Sequence, residues 1–394
     1  MTPTERRASA SLASIFALRM LGLFLVLPVF ALEARKYPGG DDPALLGLAM
    51  GIYGLTQGLL QLPFGMASDR FGRKRVIVLG LLIFAAGSFW AAAATDLQGL
   101  LIGRSLQGAG AVSAAVTALL ADLTRDEVRT KAMALVGASI GLMFALSLVL
   151  APLLAAEVGL SGLFTITGVL ALLGVLVIVW GAPPAPPMQP GAPRGRLADV
   201  LRHAGLMRMN FGVFVLHAVQ LAMWVAVPAL LVQAGLPKEQ HWQVYLPAVL
   251  GSFVLMGGMF ALERRGQLKK VFLAAILLIA LVQLGLLVVS FGLPSLASLA
   301  GLLFAFFCGF NVLEATQPSL VSRLAPMQVR GTAMGVYNTL QSLGFFVGGW
   351  AGGALVKGWG SQMLFLCCAA AMLLWWLVAL PMQAPGRHVP AKAS

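Results

Sequence analysis

Long apolar runs, separated by short polar segments, recur along the whole chain. An α-helix needs roughly 20 apolar residues to cross the hydrocarbon core of a bilayer, and most runs have about that length. Because a helix satisfies its own backbone hydrogen bonds in lipid, the pattern predicts an all-α membrane protein of twelve transmembrane helices. The predicted spans are 10–32, 44–66, 76–95, 98–121, 132–156, 161–181, 207–232, 241–262, 271–291, 294–322, 332–356 and 360–382.

The composition indicates that lipid is the solvent of the folded chain. Of 394 residues, 59% are hydrophobic and 10% are charged, whereas soluble domains carry roughly 25% charged residues. The net charge of +13 would suggest nucleic acid, but the basic residues fall in short segments between the apolar runs. We therefore expect a lipid bilayer, and no nucleic acid, as a partner.

The basic residues also predict the orientation of the chain. Of 27 Lys and Arg residues, 21 fall on the side of the termini and 4 on the opposite side, while Arg19 and Arg104 lie within spans. Loops rich in Lys and Arg stay in the cytoplasm. We therefore expect a multi-pass protein of the bacterial inner (cytoplasmic) membrane, with both termini in the cytoplasm.

A proline-rich segment divides the chain. Residues 183–193 contain six prolines, which predicts an extended linker, and 195–205 predicts a short amphipathic helix. The flanking halves resemble each other, because 123–133 matches 324–334 at an offset of 201 and 69–75 matches 263–269 at an offset of 194. Transporters that rock one bundle against the other have such duplicated halves. The predicted domains are an N-terminal six-helix bundle at 1–181, a cytoplasmic linker at 182–206 and a C-terminal six-helix bundle at 207–394.

The loop between the second and third spans reads Gly65-Met-Ala-Ser-Asp-Arg-Phe-Gly-Arg-Lys-Arg75. It is a tight turn in which Gly72 can adopt a positive φ, and a simple positive-inside loop is one interpretation. It also resembles the signature loop of the major facilitator superfamily, G-x-L-(A/S)-D-R-x-G-R-(K/R), with Ala67 in place of leucine. The resemblance implies two pseudo-symmetric six-helix bundles and a monomer.

In that superfamily the loop acts as a latch between the halves. By position, the resemblance implies that Arg73 pairs with Asp122. It also implies that Asp69 faces the N-terminus of the eleventh span near Thr332, where the helix dipole favours an anion. A role in folding and topology alone is the alternative. The implied latch residues are Gly65, Asp69, Arg70, Gly72, Arg73, Lys74 and Asp122.

Arg104 begins a second motif, which continues to Gln107 and Gly108. An arginine inside a span costs roughly 2.5–3.5 kcal/mol, so it must face the protein interior or a wet cavity. The motif resembles the R-x-x-Q-G of the superfamily's fourth span, which implies a role in proton coupling. The alternative is a structural arginine that caps backbone carbonyls.

Other stretches resemble the YajR-like branch of the drug/proton antiporters, namely 18–22, 51–57, 311–314 and 331–337. The antiporter motif G-P-x-x-G-G of the fifth span is blurred, because alanine replaces each glycine around Pro152; a plain proline kink is the alternative. Some members of that branch add a soluble C-terminal domain, which we do not expect here, since the chain extends only twelve residues past Met382.

Polar side chains within the spans predict a central cavity. Spans one, four, seven and ten carry large polar groups, and the superfamily's fold places these four helices around the cavity. Spans two and eleven add polar residues at three- and four-residue spacing, which lie on one helix face. Trp224 is a candidate apolar wall. The predicted cavity residues are Tyr53, Gln57, Gln61, Gln107, Gln220, Trp224, Asn311, Gln317, Tyr337, Asn338 and Gln341.

Glu314 is the one acid that we place within a predicted span. A carboxylate in low dielectric resists ionisation, so Glu314 is our first candidate for a proton-coupling site. His217 can also titrate near neutral pH, and Arg19 and Arg104 are candidate partners. The alternatives are a protonated structural Glu314, hydrogen-bonded to Asn311 or Gln317, and a structural His217.

These features predict a secondary transporter, in which proton-coupled efflux exports a small amphipathic compound by alternating access. A symporter or facilitated importer of a small metabolite is one alternative, and a non-transporting membrane receptor or scaffold is another. We expect no enzyme activity, cofactor or metal site, because no nucleophile–base pair, metal cluster or phosphate loop is visible.

Overall fold

The computed structural model describes residues 1–184, 197–264, 267–326 and 329–382, without the side chains of 69, 126, 127, 129–131, 134, 256–264, 330 and 331. The described ranges contain α-helices and no β-strand, as predicted. The helices are α1 Pro3–Glu33, α2 Pro43–Phe71, α3 Arg73–Ala93, α4 Leu97–Ala109, α5 Ser113–Asp122, α6 Asp126–Leu176, α7 Leu197–Arg202, α8 Ala204–Gln233, α9 Trp242–Arg264, α10 Leu268–Val289, α11 Leu296–Leu324 and α12 Arg330–Ala379.

Short polar side chains begin several of these helices. Thr2 and Glu5 form a capping box that starts α1, which is why this helix begins at Pro3 rather than at residue 10. The side chains of Asp42, Asp96 and Ser295 accept backbone N–H groups at the starts of α2, α4 and α11. Hydropathy marks the apolar part of a helix, whereas these caps determine where it begins.

Eight helices of the described ranges are long and apolar enough to cross a membrane. Two of them, α6 and α12, have 51 and 50 residues. A straight helix of that length would measure about 75 Å, more than twice the hydrocarbon thickness. Each is broken at a glycine with positive φ, Gly159 (65°) and Gly360 (81°). The first break falls between two predicted spans and the second at the first residue of the last predicted span, and the count of twelve stays a prediction.

Two features lie inside or beside the predicted spans. The predicted fourth span, 98–121, is interrupted between α4 and α5, at Gly110–Val112. The short helix α7 lies within the predicted linker, and the preceding residues 185–196 lie outside the described part. The domain boundaries at 181 and 207 stay predictions, and we use N-half for 1–181 and C-half for 207–382.

Long helix pairs build the bundle. In the N-half, α1 packs along α6, where the Thr167 hydroxyl donates to the Gly22 carbonyl at 2.9 Å. In the C-half, α8 packs along α12. The pair α2 and α12 joins the two halves. The halves also meet where α1 contacts α8 and where α6 contacts α9.

Candidate functional site

Three polar side chains from different helices meet in the middle of the C-half. His217 of α8 lies 3.2 Å, Nε2 to Oε2, from Glu314 of α11. The Gln341 amide nitrogen of α12 lies 2.8 Å from His217 Nε2 and 3.4 Å from Glu314 Oε1. The structure therefore brings together two predicted proton-coupling residues and one predicted cavity residue.

The backbone assigns one proton of this cluster. His217 Nδ1 lies 2.8 Å from the Val213 carbonyl, which can only accept, so Nδ1 carries a hydrogen. Nε2 then has two states. A neutral ring accepts at Nε2 from the Gln341 amide or from a protonated Glu314, whereas an imidazolium pairs with the ionised carboxylate. The contact therefore places two groups that can each bind a proton next to each other.

The two titratable groups have different surroundings. His217 is buried, and its ring makes edge contacts with Phe310 and Phe345, at centroid distances of 5.9 and 4.9 Å. The Glu314 side chain is 39% exposed, although it lies in the interior of α11. The Glu314 side chain is therefore partly exposed, whereas its Oε2 atom and the imidazole that it contacts are shielded.

The other predicted polar residues of α11 point elsewhere. The Asn311 amide donates to the Ser252 hydroxyl of α9 at 2.7 Å. Gln317 accepts from the Tyr337 hydroxyl of α12 at 3.3 Å, and both side chains are buried. Neither residue bonds to Glu314. These pairs tie α11 to its neighbours on both sides of the carboxylate.

In the N-half, Tyr53 lies between two buried arginines. Arg19 donates to the Tyr53 hydroxyl at 2.7 Å and to the Ser113 hydroxyl at 3.0 Å. Its guanidinium also lies over the Phe84 ring of α3, so Arg19 points into the N-half core rather than toward Glu314. The guanidinium of Arg104 lies over the Tyr53 ring, 5.1 Å from its centroid.

Arg104 is bound by backbone and amide oxygens. It donates to the carbonyls of Ala49 and Met50 of α2, at 3.4 and 3.3 Å, and to Gln107 at 3.0 Å. Gln107 in turn donates to the Ser88 hydroxyl of α3 at 2.8 Å. The motif thus cross-links α2, α3 and α4, which is the geometry of a carbonyl-capping arginine.

The remaining predicted cavity residues are more scattered. Gln57, Gln61 and Gln220 are buried, and the ring of Trp224 packs against Tyr245 at 5.1 Å. Asn338 of α12 is half-buried. None of them joins the cluster of His217, Glu314 and Gln341 through a described hydrogen bond.

The signature loop forms a network with the N-half and with the first residue of the predicted linker. Arg73 pairs with Asp122 at 3.0 Å and donates to the Ser68 hydroxyl at 2.8 Å, so the contact implied by the resemblance is present. Gly72 adopts φ 96°, and Lys74 donates to the Ala182 carbonyl at 2.6 Å. The Gly65 carbonyl accepts from Ser68, and Arg70 lies over the Phe71 ring. The side chain of Asp69 lies outside the described residues.

Two ion pairs connect the halves at the end remote from the linker, which we call the far end. Lys238 of the C-half contacts Glu33 of the N-half, and Lys36 approaches the other oxygen of the buried Glu33 at 2.6 Å. Lys357 contacts Asp42 at 2.6 Å. Sequence reasoning missed these pairs. The available signal was that two of the four basic residues predicted outside the cytoplasm, Lys238 and Lys357, belong to these pairs, and a third, Lys36, contacts the same Glu33.

Glycines bring α2 and α12 together beside these ion pairs. A Cβ atom added to Gly47 would lie 2.2 Å from the Gly349 carbonyl oxygen, and one added to Gly353 would lie 2.3 Å from the Pro43 carbonyl oxygen. Gly51 is similarly close to Phe346, at 2.6 Å from its carbonyl. We call these residues the glycine seam. It closes the far end between the halves.

A helical membrane bundle with internal polar residues, joined halves and the signature loop defines a class of membrane transporters. The family model of the Major Facilitator Superfamily matches residues 12–349. The chain belongs to this superfamily, which confirms the predicted family and fold. It is therefore a multi-pass membrane transporter, in a family whose members are typically not enzymes.

Known proteins refine this assignment. The chain is 41% identical over 390 residues to the inner membrane transport protein YajR of Escherichia coli, covering 98% of this chain and 85% of that protein. It is 27% identical to the quinolone resistance protein NorA of Staphylococcus aureus, covering 85% and 86%. A crystal structure of an auto inhibited POT family peptide transporter aligns with a TM-score of 0.76 at 15% identity, covering 98% and 99%. That structure supports the fold alone.

Proposed function

We propose that the protein is a proton-coupled exporter of a small amphipathic compound, and that Glu314 and His217 carry the coupling proton. The observation that carries this proposal is the 3.2 Å contact between the buried His217 imidazole and the carboxylate of the partly exposed Glu314 side chain, next to Gln341. Ionisable groups inside membrane segments are costly and usually mark ion or proton pathways. The similarity to a quinolone resistance protein supports the direction of export.

Alternating access would couple this proton to transport. The far end is closed by the glycine seam and two ion pairs, so in this proposal Glu314 would be reached from the linker end. With the predicted orientation, the linker end faces the cytoplasm. Substrate would enter from the cytoplasm and displace the proton from Glu314. After reorientation the carboxylate would be reprotonated from outside, down the proton gradient.

Arg19 and Arg104 contribute differently to this proposal. Both are hydrogen-bonded inside the N-half and neither contacts Glu314, so we propose that they act as positioning residues for α1, α2 and α4. The signature loop, with its Arg73–Asp122 pair, would hold the linker-end face of the N-half in shape as the halves rock.

The test is flux in proteoliposomes, with a compound chosen from a ligand-stabilisation screen of the purified protein. We expect an imposed pH gradient to drive uphill movement of the compound by wild type. Glu314→Gln and His217→Asn should lose uphill movement while they still bind the compound. Glu157→Gln is the matched control, because Glu157 is exposed and distant from the cluster in the chain.

Three results would count against the proposal. Flux indifferent to the pH gradient in wild type would remove proton coupling and favour facilitated import or export. Uphill flux that persists in Glu314→Gln would show that the proton travels elsewhere. Movement of the compound in the direction of the proton would indicate symport.

A further inference from the structure

The ring of Phe345 on α12 packs against the cluster of His217, Glu314 and Gln341, which we call the proton cluster. The Phe345 and His217 rings meet edge to face, with a centroid distance of 4.9 Å. Gln341, whose amide nitrogen lies 2.8 Å from His217 Nε2, comes one turn earlier on α12. Residues four apart share a helix face, so both side chains approach the imidazole from the same side of α12.

Phe345 also touches the other half of the molecule. A Cβ atom added to Gly54 of α2 would lie 2.9 Å from the Phe345 Cβ, and one added to Gly51 would lie 3.2 Å from the Phe345 carbonyl oxygen. Gly54 leaves room for this contact because it has no side chain. Phe345 therefore lies between the imidazole in the C-half and the backbone of α2 in the N-half.

Glycines hold the same part of α12 against α8. A Cβ atom added to Gly344 would lie 2.4 Å from the Phe214 carbonyl oxygen, and one added to Gly348 would lie 2.1 Å from the Ala218 carbonyl oxygen. Small residues allow this close approach of two backbones, and packing this dense leaves little room for one helix to slide along the other. A change at His217 therefore reaches α2 more readily through a side chain of α12 than through movement of α12 along α8.

Protonation changes which partner His217 requires. With a hydrogen on Nδ1, bonded to the Val213 carbonyl, a neutral ring accepts at Nε2 from the Gln341 amide. Once Nε2 also carries a hydrogen, Nε2 and the amide nitrogen are both donors, and an ionised Glu314 becomes the stronger partner. The two states of the ring thus favour different neighbours, one on α12 and one on α11.

We infer that Phe345 is a positioning residue through which the protonation state of the proton cluster is transmitted to α2. A ring that turns toward Glu314 changes its edge contact with Phe345, and Gly54 lies directly against Phe345 on the other side. Because packed side chains are not continuously deformable, a shift of Phe345 displaces α2 relative to α12. This inference rests on the proposed function, since it requires that the cluster binds the coupling proton.

Other ionisable groups on the helices around α8 have different surroundings. In the middle of the bundle, Tyr337 of α12 donates to an amide of α11, and Arg19 of α1 donates to Tyr53 of α2. Arginine and tyrosine ordinarily keep their charge between about pH 5 and 8. The other charged residues described on these helices lie toward helix ends or breaks. His203 and His241, at the starts of α8 and α9, titrate in a similar range, so the experiment includes Glu314→Gln.

The test follows the opening of the far end with pH. Spin labels on Arg35→Cys and Gln240→Cys, two exposed positions, report the distance between the halves in the full chain, after alanine replaces the native cysteines. With Phe345 intact, we expect the open fraction to change by roughly fivefold or more between about pH 5 and 8, the lower end of usual coupling strengths. Phe345→Ala should reduce this change to less than about twofold. Glu314→Gln should abolish it.

Phe346→Ala is the matched control on the next residue. The Phe346 ring stacks on Trp350 at a centroid distance of 6.1 Å, whereas its backbone meets Gly51. This variant should keep the wild-type pH response. Phe345→Leu keeps most of the apolar volume but lacks the ring edge. It should therefore lose most of the pH response while it retains the wild-type melting temperature.

The protonation of His217 itself is followed by NMR of carbon-13-labelled histidine, with His217→Asn to identify its signal. In Phe345→Ala we expect His217 to titrate as in wild type, because its partners Glu314 and Gln341 remain. An imidazole that no longer titrates would mean that Phe345 shapes the cluster instead of transmitting its state, and would count against the inference.

Two results of the distance measurement would overturn the inference. If Phe345→Ala moved the label distance equally at every pH and kept the wild-type pH response, Phe345 would be a packing residue only, and the proposed function would stand. If the wild-type distance did not change with pH, there would be no signal for Phe345 to transmit. Flux in proteoliposomes would then decide independently whether the protein is proton-coupled.

Discussion

At the scale of single residues, the ionisable side chains inside the two halves have different kinds of contacts. Arg104 is held by two α2 carbonyls and Gln107, none of which changes protonation. Glu314 faces His217, whose imidazole can take or release a proton. The N-half therefore contains a buried cation whose donors bond to backbone and amide oxygens, whereas the C-half places two ionisable side chains in contact. This difference is the reason that we assign coupling to the C-half.

Arg104→Lys tests the structural role of the N-half arginine. Lysine keeps the positive charge but lacks the planar fork that reaches two carbonyls and an amide at once. We expect the free energy of unfolding of the Arg104→Lys variant to fall by about 1–3 kcal/mol, because the buried oxygens that accept from Arg104 lose their donors. The measurement is thermal unfolding in detergent, with Arg202→Lys on the exposed helix α7 as the control. Identical melting temperatures for both variants would contradict the carbonyl-capping role.

The sequence predicted which residues are polar and internal, but not where each one points. Glu314, His217 and Gln341 meet as neighbours, although they are far apart in the chain. Arg19 instead turns toward Tyr53 and Ser113 in the N-half core. Helical spacing defines the face of a residue, whereas its partner depends on how the helices pack, which the pattern of one chain does not contain.

At the scale of helices, glycine spacing determines how closely the halves approach at the far end. The glycine seam joins α2 to α12 with backbone atoms in direct contact. Small residues are what allow two membrane helices to come this close. Since α2 and α12 belong to different halves, opening the far end must separate this contact.

Gly47→Ala tests the seam. Its Cβ would lie 2.2 Å from the Gly349 oxygen, so the helices must move apart. We expect the equilibrium to shift toward the state open at the far end by about tenfold. The measurement is the distance between spin labels on Arg35→Cys and Gln240→Cys, two exposed positions at the far end of different halves. This label pair should report a longer distance.

Gly58→Ala is the matched control on the same helix. Its Cβ would meet only side-chain atoms, the nearest at 3.4 Å, which is ordinary van der Waals contact. The label distance should stay at the wild-type value. A distance that responds equally to both substitutions would mean that the seam does not close the far end.

The helices themselves were largely predictable, because a helix that spans a membrane is identified in the sequence by the length of its apolar run. The predicted separations near Gly159 and Gly360 coincide with the breaks in α6 and α12. The break between α4 and α5 was not predicted, since Gly110–Val112 lies within an uninterrupted apolar run. Hydropathy does not distinguish a continuous helix from one that is interrupted inside the same apolar segment.

At the scale of the whole molecule, ion pairs across the halves add to closure of the far end. Glu33 is buried and shares its two oxygens between Lys36 of its own half and Lys238 of the other. When the halves separate, Lys238 leaves and Lys36 remains. The Glu33 carboxylate would thus keep Lys36 as a partner whether the far end is closed or open, which lowers the free-energy cost of opening.

Removal of both lysines should reveal this sharing. Lys238→Met alone leaves Lys36 on the carboxylate, and we expect a small increase in the far-end label distance. Lys36→Met together with Lys238→Met leaves a buried charge unpaired, which is strongly destabilising. The double variant should therefore open the far end by more than the sum of the single variants. Lys270→Met, on an exposed lysine elsewhere, is the control; simple additivity would argue against a shared carboxylate.

The pH dependence of opening separates the far-end ion pairs from the proton cluster. Lys357, hydrogen-bonded to Asp42, holds the pKa of that carboxyl below its ordinary value, which is about 3.9. A depressed pKa means that the contribution of this pair to closure is fully present above that ordinary value. It is lost only as the pH falls through the lowered pKa, so it is constant between about pH 5 and 8.

Asp42→Asn should therefore raise the open fraction by the same factor at every pH in that window. Asparagine still caps α2, so the change removes the charge without removing the helix start. Any pH dependence of the far-end label distance between pH 5 and 8 must then come from another group, and we expect Glu314→Gln to abolish it. If Asp42→Asn removed the pH dependence of the far-end label distance and Glu314→Gln did not, the proton that drives the movement of the halves would act at the far end. It would then not act at the centre of the C-half.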